Sequence, residues 1–186
     1  MQKIVTLALF VFVLSFAPGV SAAELSLQTE KPKLKLGQTT TVAIVLSGGE
    51  GTLGTDIILT YEPQKLEASE VKAGDLYPAY NPAGGKRIDA DKGKIFLSGS
   101  GGLGQSIKAK GVFAVVTFLA KSPGQTTIAF DYQVGNTTKT GIIDLTGKDL
   151  LTATPRSVTV TIQEPNIIEK TLTFFKRVVS LVRLGR

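Results

Sequence analysis

The sequence predicts an all-β domain: an antiparallel sandwich or jelly roll of about nine short strands, with an amphipathic helix after it. Three observations predict it. Apolar and polar residues alternate with period two through most of residues 23–162. The alternating runs are short, rich in Val, Ile, Thr and Phe, and closed by Gly, Pro or Asn. After Pro165-Asn166 the period changes to 3.6.

The elements follow in chain order. Residues 1–22 read as a secretory signal peptide. Lys3 gives the positive start, residues 4–16 the apolar run, and Val20-Ser21-Ala22 a small-residue cleavage site. That run is shorter than the roughly 20 residues a membrane span needs. Residues 23–162 form the β domain. In "TTTVAIVLSGG", Val42, Ile44 and Leu46 share one face. In "GTDIILTYEP", Thr55, Ile57, Leu59 and Tyr61 point one way and Asp56, Ile58 and Thr60 the other. "KGKIFLSGSG", "GVFAVVTFLAKSPG", "QTTIAFDYQ", "TGIIDLTG" and "PRSVTVTIQ" repeat the pattern. Pro123-Gly124 suits the centre of a type II turn. "QKLEASEV", residues 64–71, is expected to make one helical turn. Residues 163–186 are a linker and a basic helix. Its polar side carries Glu169, Lys170, Thr173, Lys176, Arg177, Ser180 and Arg183, and Ile168, Leu172, Phe175, Val179 and Val182 lie opposite.

Composition removes whole classes of function. The chain has no His, Cys or Trp. Imidazole-based triads, thiol nucleophiles and His/Cys zinc sites are therefore out. An exported domain without disulfides must rely on its core, and about 160 residues suffice for one. The formal charge of +6 sits largely outside the domain. Residues 23–162 carry only about +2, no footprint for nucleic acid.

The remaining motifs are weak. Asp56, Glu62, Glu67, Glu70, Asp75 and Asp89 lie on strands and turns that do not converge, so they read as solvated carboxylates rather than a paired-carboxylate hydrolase. "GSGGLG", residues 99–104, matches G-x-G-x-x-G, but a strand follows where a dinucleotide site needs a helix. "DADKG", residues 89–93, lacks the later ligands of a calcium loop and reads as a turn. "NTT", residues 136–138, is a glycosylation acceptor in a host with the machinery. No cofactor is expected.

Two long strings then carry a resemblance: "VAIVLSGGEGTLGTDIILTYEPQKLEASEVKAGDLYPAY" and "GVFAVVTFLAKSPGQTTIAFDY". Both resemble the cohesin module of cellulosomes, the bacterial dockerin-binding domain. The match is one of order and spacing over residues 25–162. "DIILTYEPQKLEASEVKAGDL" stands in place of a strand–Tyr-Asp-Pro–Leu–Val–Gly-Asp pattern, and "GVFAVVTF" in place of a Gly-Val-Phe-Ala strand. The resemblance implies a nine-stranded jelly roll, a fold shared with several carbohydrate-binding modules. It implies that dockerin helices lie on one flat sheet face, with Asp56 matching a contact aspartate and Gly54, Ile58 and Thr60 as outward neighbours. The Gly-rich loop "SGSGGLG" lacks the acidic residue the family often carries there, and Gly54 replaces a polar contact.

The expected function is a secreted, non-catalytic module that attaches a dockerin-like or surface protein through Asp56, Ile58 and Thr60. Its setting is polysaccharide degradation or the cell surface. The alternative is direct polysaccharide binding, for which Tyr77 and Tyr80, with Tyr132, would supply a small aromatic patch. The tail, with Phe174, Phe175, Lys176 and Arg177, is expected to lie in the interface of the outer face of the cell membrane. Liposome co-sedimentation checks this: the full chain should partition and a chain lacking residues 167–186 should not, and equal partitioning contradicts it.

Overall fold

The computed structural model describes residues 22–80 and 86–165. The expected signal peptide, apart from Ala22, and the helical part of the tail, including Phe174, Phe175, Lys176 and Arg177, lie outside the described residues. Among the described residues there is no α-helix.

Among the described residues twelve strands form, against the expected nine or so. They are β1 (Glu24–Thr29), β2 (Lys33–Lys35), β3 (Thr39–Ser47), β4 (Thr52–Thr60), β5 (Leu66–Ala73), β6 (Ala79–Tyr80), β7 (Lys86–Asp89), β8 (Lys94–Ser100), β9 (Gly111–Ala120), β10 (Gly124–Phe130), β11 (Gly141–Asp144) and β12 (Val158–Gln163). The surplus comes from pieces of two to four residues, β2, β6 and β7, too short to show a period in sequence. One sheet has the order β1-β3-β9-β5 and the other β2-β12-β10-β4-β8-β6, with β11 also on β4 and β7 also on β8. The pairing is not wholly antiparallel. β2 runs parallel to β12, Lys33 opposite Thr161, because the chain passes from β1 in one sheet to β2 in the other while keeping its direction.

Alternation places the core between the sheets. Val42, Ile44 and Leu46 of β3 and Phe113, Val116 and Phe118 of β9 meet Ile57 and Leu59 of β4, Ile95 and Leu97 of β8, Ile128 of β10 and Val160 and Ile162 of β12 in one buried cluster. Full burial of each such side chain contributes about 1.5–3 kcal/mol, and this has to hold a fold without disulfides.

β5 corrects the expectation of a helical turn at residues 64–71. A turn does form, with the amides of Lys65 and Leu66 both donating to the Glu62 carbonyl, but the strand starts at Leu66. Leu66, Ala68 and Val71 are buried, and a bulge between Ala68 and Glu70 shifts the phase. The bulge breaks period two in sequence and hides the strand.

"DADKG" forms the turn between β7 and β8. Asp89 accepts the Lys92 amide and faces its ammonium at 3.5 Å. Gly93 closes it with φ +60°, its carbonyl accepting the Tyr61 amide, and a Cβ there would stand 2.1 Å from the Tyr61 carbonyl oxygen. Gly37 has a comparable φ of +81° but open space around it. Gly93→Ala should therefore cost roughly 3 kcal/mol or more and Gly37→Ala only about 1 kcal/mol. Chemical denaturation of both variants measures this, and equal losses contradict it.

Candidate functional site

The outward face of the larger sheet is built by the residues that alternation turns away from the core. On β4, Thr55, Ile57, Leu59 and Tyr61 (the residue just after the strand) are buried, Asp56 is exposed, and Ile58 and Thr60 are half-buried. Register sets their neighbours on β8: Asp56 lies opposite Ser98, Ile58 opposite Phe96 and Thr60 opposite Lys94. On β7, Arg87 lies opposite Phe96, with its guanidinium carbon 4.4 Å from the centre of the Phe96 ring. The face is thus an exposed carboxylate, a half-buried Ile–Phe pair and a stacked guanidinium. The Asp56 carboxylate forms no hydrogen bond or ion pair among the described residues.

The face is not flat. β10 and β11 lie end to end along the same edge of β4, β10 pairing Thr60 and Leu59 and β11 pairing Asp56 to Thr52. Between them residues 131–140 rise out of the sheet. The base of this excursion is fastened on Ile58: the Asp131 amide donates to the Ile58 carbonyl, and the Thr140 hydroxyl accepts the Ile58 amide at 2.9 Å. Asp131 then pairs with Lys139 at 2.9 Å and Lys94 at 3.1 Å. The Lys139 ammonium, seconded by Lys94, holds the Asp131 carboxyl below the usual range despite partial burial. The Lys94–Asp131 pair links β8 to the end of β10 across β4, so Thr60 sits beside this ion pair, and Asp56 and Ile58 adjoin open space.

Two depressions flank Asp56. One, of about 320 Å³, is lined by Asn136, Thr137, Lys139, Gly141, Ile143 and Asp149 among others, and a smaller one by Ile58, Phe96, Ser98 and residues 137–139. Gly141 stands directly opposite Asp56, and a Cβ there would meet nothing within 4 Å. The "NTT" acceptor lies on this wall.

Sequence alternation places Asp56 and Ile58 correctly on the outward face. It does not supply Phe96, Arg87 or the wall. Phe96 leaves a trace: it is a large aromatic at a polar position of "KIFLS". The wall depends on β10 and β11 both pairing β4, a long-range relation that no local pattern carries.

The tyrosines do other work. Tyr77 is 4% exposed, and its hydroxyl shares a hydrogen bond with Thr55 inside the core. Burial pushes its phenol up to about 12. Tyr80 donates to the Phe113 carbonyl. The Tyr77 and Tyr80 rings meet edge to face at 89°, and both contact Phe113. They brace the bulge of β9 and offer no coplanar platform to a sugar ring. Tyr132 packs against the core from the excursion. No cluster of three or more metal-ligating side chains occurs among the described residues.

Comparison with known proteins follows the same line. A cohesin-domain family model matches residues 24–163. Cellulosomal-scaffolding protein A of Acetivibrio thermocellus is 31% identical over an alignment of 137 residues, with 66% of this chain and 7% of that protein covered. A type II cohesin module from the adaptor ScaA scaffoldin of Acetivibrio cellulolyticus matches with a TM-score of 0.62 at 16% identity, covering 81% of this chain and 96% of that one. The sixth cohesin of scaffoldin B from the same organism, solved with a Cel5 dockerin mutant, gives 0.60 at 22% identity, covering 76% and 99%. With most of the β domain matched, the chain belongs to the cohesin domain family.

Proposed function

We propose that this chain is an exported, non-catalytic attachment module that holds a dockerin-like protein on the outward face of β4 and β8. One observation carries the reading: Asp56 stands unpaired and exposed beside the half-buried pair Ile58 and Phe96. A charge without an internal partner, flanked by apolar surface, is what a docked side chain can use. Two of the similar solved structures at 19% and 21% identity are themselves cohesin–dockerin complexes. Asp56 and Ile58 are the central contacts, and Thr60 serves the rim. The signal segment and the scaffoldin relative support a place outside the cytoplasm. Direct polysaccharide binding has less support, because Tyr77 and Tyr80 are turned inward and perpendicular.

Binding to a panel of dockerin modules tests the reading. At least one should bind, and Asp56→Ala should weaken it about 10-fold or more, a loss of about 1.4 kcal/mol. Gly141→Phe should fill the depression beside Asp56 and weaken binding similarly while leaving thermal unfolding nearly unchanged, since open space surrounds that position. Silence from every dockerin contradicts the dockerin reading, and unchanged affinity in both variants contradicts this face.

The wall should respond to acid. Pairing depresses the Asp131 pKa in the folded chain, so its contribution is complete above the unfolded carboxylate value of about 3.9 and is lost as pH falls through the lower folded value. Protection factors of the amides of residues 132–139, corrected for the intrinsic exchange rate, should fall over that acid range, and much less so in Asp131→Asn, which has already lost the pairing. Identical profiles contradict the assignment.

A further inference from the structure

We propose that the face recognises its partner helix by two opposite charges at a fixed spacing: a basic side chain beside Asp56 and an acidic one beside Arg87. This rests on the reading that the β4–β8 face is the docking surface and specifies the chemistry of what docks.

The two groups are the ends of one strip. Asp56 lies opposite Ser98 on β8; Phe96 is two residues along, and Arg87 faces it from β7. Neither Asp56 nor Arg87 has an ion-pair partner among the described residues, and both are exposed. The other nearby charges are committed: Lys94 and Lys139 to Asp131, and Asp89 to Lys92. Asp149, at the edge of the depression, spends its carboxylate on the amides of Ile142 and Leu151. Among the described side chains along this strip, Asp56 and Arg87 are left to read charge. Between them Phe96 and Ile58 give an apolar floor, and stacking on Phe96 limits the wandering of the Arg87 head group.

Strand geometry sets the spacing. Two strand-to-strand steps and two residues along a strand amount to about 12 Å. A helix rises 1.5 Å per residue, so this spans about seven or eight residues, or two turns, which returns side chains to one helix face. The occupant is therefore a helix with Lys or Arg at one position, Asp or Glu about seven or eight residues away, and apolar side chains between them on the same face. Residues 137–139 and the Lys94–Asp131 pair wall the strip on one flank, which confines such a helix to the line from Asp56 to Arg87.

The test uses the full chain and a displayed library of a two-helix scaffold whose outward positions on one helix are randomised. Clones selected on the wild-type protein should carry the basic–acidic pair at that spacing and lose about 10-fold or more in affinity on Asp56→Lys or Arg87→Glu. Clones selected on the double variant Asp56→Lys, Arg87→Glu should carry the charges in reversed order. Three results overturn the proposal: no helix enriched, enriched helices without the spaced pair, or affinities indifferent to both reversals. The double variant changes exposed residues only, and thermal unfolding at the wild-type midpoint confirms that it folds. Library selection as expected together with a silent dockerin panel would remove the dockerin reading and keep the charge code. Dockerin binding indifferent to Arg87 would do the reverse.

Discussion

The placement of β4 depends on a single constraint: the burial of Thr55, Ile57, Leu59 and Tyr61 against the opposite sheet. With period two, a slip of one residue would send Asp56 inward and Ile57 and Leu59 outward. An unpaired carboxylate in that core would cost several kcal/mol, and the exposed aliphatics would forfeit their burial. The core therefore fixes the proposed docking face, although no residue of that face belongs to the core. The same register fixes Ser98, Phe96 and Lys94 on β8, and through them Arg87 on β7.

On this rigid floor lies a second layer held by polar contacts. Residues 131–140 leave the strand line at Ile58 and return at Gly141, opposite Asp56. Their fastening is local and partly charged, through Thr140 on the Ile58 backbone and Asp131 between two lysines. Such pairs contribute far less than the packed core and respond to acid and salt. The molecule thus separates a permanent surface from an adjustable wall, and the depressions lie at the seam.

Much of this was legible in the residues. Alternation in "GTDIILTYEP" puts Asp56 outside and Tyr61 inside, and the absence of His, Cys and Trp removes most catalytic chemistries at once. What escaped was either too short or too distant. β2 and β6 have three and two residues, below any period. The bulge at Ser69 hides β5 by shifting its phase. Tyr77 and Tyr80 look available for sugar stacking until the β9 bulge places Phe113 against both rings. The joint pairing of β10 and β11 with β4 links residues about seventy to ninety positions apart, and no local pattern encodes it.

The outward face of β4 and β8 is the proposed seat of the partner. Backbone amide chemical shifts followed while a binding dockerin module is titrated in measure it directly. Perturbations should concentrate on residues 54–60, 87, 94–100 and 135–143, with the outer face of the β1-β3-β9-β5 sheet unmoved. Perturbations centred on that smaller sheet, with Asp56 and Phe96 silent, would contradict it.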